Sequence, residues 1–323
     1  MASGVNPARI ALVGCGRWGR HILRDLVELG CNVIVVDAEA SAREHAIGHG
    51  AQRVSAALEG LGPLDGIVIA TPAATHAGMV EAALEFDVPL FCEKPLALRA
   101  DEAASVAARA HGRLFMMDKW RYHPGVEALR DLARSGEIGT VVGLRTTRIG
   151  WSPAQVDSDP VWTLLPHDLS IALEILGFVP EPRLAVAELV ARRPVGLSAV
   201  LGEQPWFIVE AGGASPVERR EIRLTCSEAV AVLPDAYSDH LRLLSPDPRA
   251  GVAPVRGTRS IAVEPPLLRE LRAFLAYLGG GAPPRSSVSD GLRVASLVLR
   301  LRQMAGIDEA AFGASGDGTG AAH

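Results

Sequence analysis

The sequence predicts an α/β chain in two parts: a doubly wound parallel sheet first, then an α+β domain with an open, mainly antiparallel sheet. Three observations carry this. Short apolar runs alternate with helical stripes through the first third, and a glycine cluster closes the first run. After about residue 122, segments such as Val141 to Ile149 and Arg219 to Leu233 alternate apolar and polar residues singly. A length of 323 residues leaves room for about two domains, so the expected division is 1–122, 123–312 and a glycine-rich mobile tail at 313–323.

The elements follow in order. Arg9 to Val13 is a short apolar strand, and Trp18, Ile22, Leu26 and Leu29 then recur at helical spacing until Gly30. Cys31 to Val36, Asp65 to Ala70, Val88 to Cys92 and Leu114 to Met117 are nearly continuous apolar runs, as strands covered on both faces require. Helices are expected between them, the last from about Arg99 to His111, and later over Gly125 to Ser135, Pro166 to Leu176, Leu267 to Leu278 and Asp290 to Met304.

Composition excludes several classes. The 32 basic and 37 acidic residues give a net charge of −5, without the basic block that a nucleic-acid partner requires. No run approaches a membrane span, and the first ten residues lack the charged start of a secretory leader, so a cytoplasmic location is expected. Cys15, Cys31, Cys92 and Cys226 form no CxxC pair, which suits reduced thiols, and no cluster has metal-ligand spacing.

Gly14-Cys15-Gly16-Arg17-Trp18-Gly19 fits the G-x-G-x-x-G dinucleotide pattern, and its context is the informative part: it follows a strand, opens a helix, and precedes a strand ending at Asp37. Gly14 permits the turn, Gly16 lets a pyrophosphate approach the backbone, and Gly19 lets helix and strand pack closely. The helix N-terminus then offers N–H groups to phosphate. Asp37 accepts from a ribose 2′-hydroxyl and repels a 2′-phosphate, so this Rossmann half is expected to take NAD in preference to NADP. The plain alternative makes Asp37 the cap of a helix starting near Ala38.

Beyond this the chain resembles the Gfo/Idh/MocA family, the glucose-fructose oxidoreductase and inositol dehydrogenase group. The resemblance rests on the glycine loop, Thr71-Pro72-Ala73-Ala74-Thr75-His76, Glu93-Lys94-Pro95, Pro166-His167-Asp168-Leu169-Ser170 and Ser289-Asp290-Gly291-Leu292-Arg293. It implies that Thr71, Pro72 and His76 line the cofactor's path and that Glu93 and Lys94 sit by the nicotinamide ribose. Pro95 would follow a cis peptide bond, Lys94 would reach the reacting carbinol, and His167 would handle a second proton. Arg121 and Tyr122, in the segment between domains, would face the substrate. Many relatives carry an Asp four residues before the histidine; Thr163 stands there, leaving open whether Thr163 or Asp168 fills that role.

Hydride transfer to or from a carbinol carbon needs a group that moves the alcohol proton, and Lys94 with His167 would supply it. Trp151 and Trp162 suit stacking on a sugar or base, and Arg148, like Arg145, suits a substrate phosphate. Their plain alternatives are inter-domain packing and a solvated sheet face. For Lys94 the alternative is pairing with Glu93 or a phosphate, for His167 the capping of its own helix, and for His76 a structural role. The expected function is an NAD-dependent oxidoreductase for a nucleotide-linked or amino sugar, working as a homodimer or homotetramer through the C-terminal sheet. The rivals are a free polyol or inositol dehydrogenase and a non-catalytic dinucleotide sensor.

Overall fold

A computed structural model describes residues 6–97, 99–151, 159–244 and 255–307; the tail expected at 313–323 lies outside them. The chain divides into two compact units, one running to His123 together with Glu264–Ala295, the other Pro124–Val263 with the chain from Ser296. Among the described residues no helix is long and apolar enough to cross a membrane.

In the first unit β1 (Arg9–Val13), α1 (Gly19–Glu28), β2 (Asn32–Val36), α2 (Ala40–Gly48), β3 (Arg53–Ser55), β4 (Gly66–Ile69), α3 (His76–Ala83), β5 (Leu90–Glu93), α4 (Ala100–Arg109) and β6 (Leu114–Met117) follow one another. The strands form a parallel sheet ordered β3-β2-β1-β4-β5-β6. Alternate side chains of each strand enter different cores. Ile10 and Leu12 pack with Ile22, Leu23 and Leu26 of α1, whereas Ala11 and Val13 pack with Val80 of α3 and Val106 of α4. Burial on both faces is why these strands read as unbroken apolar runs, each buried Val, Leu or Ile being worth about 1.5–3 kcal/mol.

The second unit opens with α5 (Pro124–Ser135), β7 (Val141–Trp151) and α6 (Pro160–Leu176). Then come β8 (Pro182–Val190), β9 (Arg193–Leu201), β10 (Trp206–Gly212), β11 (Ala214–Cys226), β12 (Val230–Leu233), β13 (His240–Leu244) and β14 (Val255–Ser260). The sheet order is β14-β13-β12-β11-β7-β10-β9-β8. Neighbours are antiparallel except β7 and β10, whose parallel register lays Trp206 opposite Gly143, where a Cβ would stand 2.1 Å from the indole. The alternating stretch Arg219 to Leu233 is an antiparallel hairpin of β11 and β12 turning at 227–229. Leu197, Ala199, Phe207, Val209 and Leu224 are buried, while Leu184 and Val186 on the edge strand are each 56% exposed.

The largest departure from the sequence reading lies in the last third. α7 (Pro266–Leu278) packs not with the second sheet but with the first: Leu267, Leu271 and Phe274 join the core beside α1, and Phe274 stacks on Phe91 at 4.8 Å. Gly66 makes room for it, since a Cβ there would lie 3.0 Å from Leu278 and 3.1 Å from Phe274. The division between units falls inside α8 (Val288–Met304), whose Gly291 approaches Met116 too closely for a side chain. An apolar stripe predicts a helix without naming the surface it covers.

A second correction concerns α6, which begins at Pro160 rather than Pro166. Asp159 caps it by accepting from Trp162 N at 3.0 Å, and Pro160 takes the first helical position, so Pro166 lies inside the helix. The other oxygen of Asp159 accepts from Arg302 of α8 at 2.7 Å, with both side chains buried. Replacing Arg302 by Leu leaves Asp159 a buried charge beside a weakened helix start. The expected cost is roughly 3–5 kcal/mol, read as a lower urea midpoint; a midpoint equal to the parent's contradicts this role.

Candidate active site

The glycine turn follows β1. Gly14 has φ +92° and its N–H donates to Val36 O at 2.8 Å; a Cβ there would stand 2.7 Å from Ala70 O. At Gly19 a Cβ would stand 2.1 Å from Gly14 O, so helix and turn touch backbone to backbone. Gly16 differs, because a Cβ there meets nothing within 4 Å. Its lack of a side chain serves no internal packing, and it opens the backbone at the start of α1, where no side chain caps the helix. That is the arrangement a dinucleotide pyrophosphate fits.

Asp37 does not cap α2, which starts at Ala40 after Glu39. Its carboxylate accepts from Cys15 N at 2.7 Å and Glu39 N at 2.9 Å, tying the end of β2 to the glycine turn. Arg43 holds the same corner through the carbonyls of Asp37 and Ala38, both at 2.7 Å. Arg17 is exposed on the turn.

The loops after β4 and β5 are bound together by His76. The ring is buried, with Nδ1 2.7 Å from Pro95 O and Nε2 2.8 Å from Thr71 O. Thr71 Oγ1 in turn accepts from Thr75 at 2.8 Å, while Pro72 is exposed at the mouth of this loop. The Lys94–Pro95 peptide is cis, as the family resemblance implied. Glu93 is the junction: one carboxylate oxygen accepts from the Trp18 indole N–H, the other from Lys94 N at 3.1 Å. Lys119 places its ammonium 4.4 Å from the Trp18 ring centroid. Glycine turn, Glu-Lys-Pro corner and the end of β6 thus meet around one carboxylate.

Arg121 and Tyr122 are held inside the first unit. Arg121 donates to Asp290 at 3.1 Å, at the start of α8. The Tyr122 hydroxyl accepts from Arg285 N at 2.8 Å, and burial pushes this phenol up to about 12. In the second unit α6 carries Thr163 and His167 four residues apart, hence on one face, both half-buried. The Thr163 hydroxyl turns back to the carbonyls of Pro160 at 3.2 Å and Asp159 at 3.3 Å. Asp168 points elsewhere: it accepts from Arg148 Nε at 2.9 Å in a buried pair. Burial raises the Asp168 carboxyl from its ordinary value, against the pull of Arg148. Arg148 therefore holds α6 to β7 instead of standing on a solvated sheet face. Trp162 lies 5.6 Å from the Arg302 guanidinium, and Trp151, 80% exposed, ends β7. Among the described residues no group of three His, Cys, Asp or Glu side chains is placed to hold a metal.

The sequence reading did not single out Glu270, yet it carries a signal. It falls within the apolar stripe Leu267, Leu271, Phe274 of α7, where a carboxylate is out of place, and it is 1% exposed. It accepts from Asp118 N, and burial with the like charges of Glu93 and Asp118 pushes its carboxyl well above the ordinary range.

A six-stranded Rossmann sheet, a glycine turn opening α1 and an acid after β2 are the parts of a dinucleotide-binding domain. The family described as "Oxidoreductase family, NAD-binding Rossmann fold", Gfo/Idh/MocA, matches residues 8–118. D-apiose dehydrogenase of Paraburkholderia graminis is 30% identical, over 89% of this chain and 85% of its own length. The UDP-N-acetylglucosamine 3-dehydrogenase of Acidithiobacillus ferrooxidans is 25% identical, over 91% and 96%. The solved structure of an oxidoreductase from Agrobacterium radiobacter, in complex with NAD+, L-tartaric acid and magnesium, superposes with a TM-score of 0.80 at 20% identity over 93% and 97% of the two chains. The chain belongs to the Gfo/Idh/MocA family.

The glycine geometry separates folding from binding. Gly16→Val is expected to leave the thermal midpoint within about 2 °C of the parent, because the site is open. NADH affinity, followed by nucleotide fluorescence, should fall at least about tenfold from lost access to the backbone N–H groups. Parent affinity in this variant contradicts the assignment of the turn.

Proposed function

We propose that this oxidoreductase transfers hydride to or from a secondary carbinol or ketone of a sugar, with Lys94 as its acid/base, and that its substrate is a nucleotide-linked or amino sugar. The observation that carries the reading is the Glu93 junction, which fixes the backbone of Lys94 beside the glycine turn. Bound NAD supplies or accepts the hydride. Gly14 and Gly19 shape the turn in which Gly16, Arg17 and Trp18 meet its phosphates, and Asp37 takes the adenosine ribose, favouring NAD over NADP. Thr71 and Pro72 line its path, His76 ties together the loops that carry them, and Glu93 directs Lys94.

In the oxidising direction the Lys94 amine takes the carbinol proton as the hydride leaves; in reduction its ammonium returns it. His167 is the second proton-handling group, with Thr163 beside it on α6. Trp151 and Trp162 are proposed for the sugar or its carrier. Arg121, Tyr122 and Arg148 act by shaping the loops and helices that present the substrate groups. The exposed Leu184 and Val186 of β8 support a homo-oligomer formed through the second sheet. Both the D-apiose and the UDP-N-acetylglucosamine relatives act on sugars, which supports the substrate class. The more similar D-apiose enzyme favours one second reading, a free sugar or polyol as substrate.

A thermal-shift panel with saturating NADH separates the two. A ligand at about 100 times its dissociation constant adds about 2.7 kcal/mol of stability. Nucleotide sugars are expected to raise the midpoint; a rise with free sugars or inositols alone transfers the assignment to the second reading. On the best ligand, Lys94→Met is expected to bind NADH as the parent does while kcat falls roughly 10²- to 10⁴-fold. Turnover at the parent rate removes Lys94 from the chemistry.

A further inference from the structure

α7 reaches the Glu93 junction from behind with two successive residues. Arg269 donates to Tyr122 O at 3.0 Å, and Glu270 accepts from Asp118 N, so together they clamp the two ends of the short turn Lys119–Tyr122 that follows β6. Lys119 of that turn covers the Trp18 ring, and Trp18 donates to Glu93, whose other oxygen holds Lys94 N. The carboxyl of Glu270 stands buried against this group, facing the charges of Glu93 on β5, Asp118 and Lys119.

We propose that Glu270 is a positioning residue for Lys94, acting from α7 through the Asp118–Lys119 turn and Glu93. The proposal rests on the assignment of Lys94 as the acid/base. A buried carboxyl contributes little to an apolar core and costs free energy to desolvate, so its place in the stripe of α7 needs a return. Geometry supplies one: a short, rigid acceptor fixes Asp118, which sets where Lys119 lies over Trp18 and so how Trp18 meets Glu93. Burial and the neighbouring charges of Glu93 and Asp118 push the Glu270 carboxyl well above its ordinary range. Glu93 gives its two oxygens to the Trp18 and Lys94 N–H groups.

Glutamine keeps the shape and the acceptor oxygen of Glu270, which makes the test sharp. Glu270→Gln retains an acceptor for Asp118 N, and it is expected to keep kcat within about threefold. Glu270→Leu is expected to lose kcat roughly 10- to 100-fold through displacement of Lys94, while NADH still binds. The chain has five tryptophans, so the contribution of Trp18 is isolated as the emission difference from Trp18→Phe. That difference spectrum is expected to shift in Glu270→Leu and to stay as in the parent in Glu270→Gln.

A folded Glu270→Leu variant with parent kcat and parent Trp18 emission overturns the proposal, and so does a Glu270→Gln variant as impaired as Leu. If Leu prevents folding, Glu270→Asp decides. It withdraws the acceptor by one methylene, and about a tenfold loss of kcat at an unchanged thermal midpoint supports positioning, whereas parent kcat overturns it. The emission arm needs no substrate. Should Lys94→Met turn over like the parent, the assignment of Lys94 fails by itself, and the Trp18 spectrum still reports whether Glu270 governs the Glu93 junction.

Discussion

One carboxylate organises the site. Glu93 ends β5, and its two oxygens take the indole N–H of Trp18 from the glycine turn and the backbone N–H of Lys94 from the corner that follows. Hydrogen bonds to an ionised acceptor are about twice as strong as neutral ones and more directional. A single side chain thus ties the glycine turn to the backbone of Lys94, the proposed acid/base. The surrounding contacts serve that junction: His76 ties the loops after β4 and β5, Asp37 ties the turn to β2, and Lys119 covers Trp18.

The buried charges follow a pattern. Arg148 with Asp168 fixes α6 to β7, and Arg302 with Asp159 fixes the start of the same helix, which also carries Thr163 and His167. Such pairs are weak sources of net stability, because desolvation offsets most of their attraction. Their consequence here is orientation, since a helix pinned at its first residue and again at Asp168 has no freedom to rotate about its axis. Glu270 plays the equivalent part in the first unit, with a backbone N–H as its partner in place of a cation.

Much of the first unit was legible because its code is local. A strand buried on both faces must be apolar throughout, and a tight turn must have glycine where backbone meets backbone, at Gly14 and Gly19, so β1, α1, β2 and the glycine turn could be read directly. Asp37 was legible as a residue but not in its contacts with Cys15 and Glu39. What escaped depends on partners distant in sequence. Nothing local says that α7 covers the first sheet, that Arg148 faces Asp168 rather than solvent, or that Tyr122 meets Arg285. The start of α6 was misplaced for a different reason, since proline is a starting signal at both Pro160 and Pro166. The capping contact of Asp159 with Trp162 N decides between them. The strand β3, three residues long, is too short to show a pattern of its own.

The measurement that bears most directly on the account is kcat of Glu93→Gln on the best sugar substrate, with folding and NADH binding verified. The substitution keeps the shape of the side chain and removes the charge that holds Trp18 and Lys94 together. A loss of roughly 10- to 100-fold in kcat is predicted, from a lysine no longer held in line; parent kcat would contradict the organising role of this carboxylate.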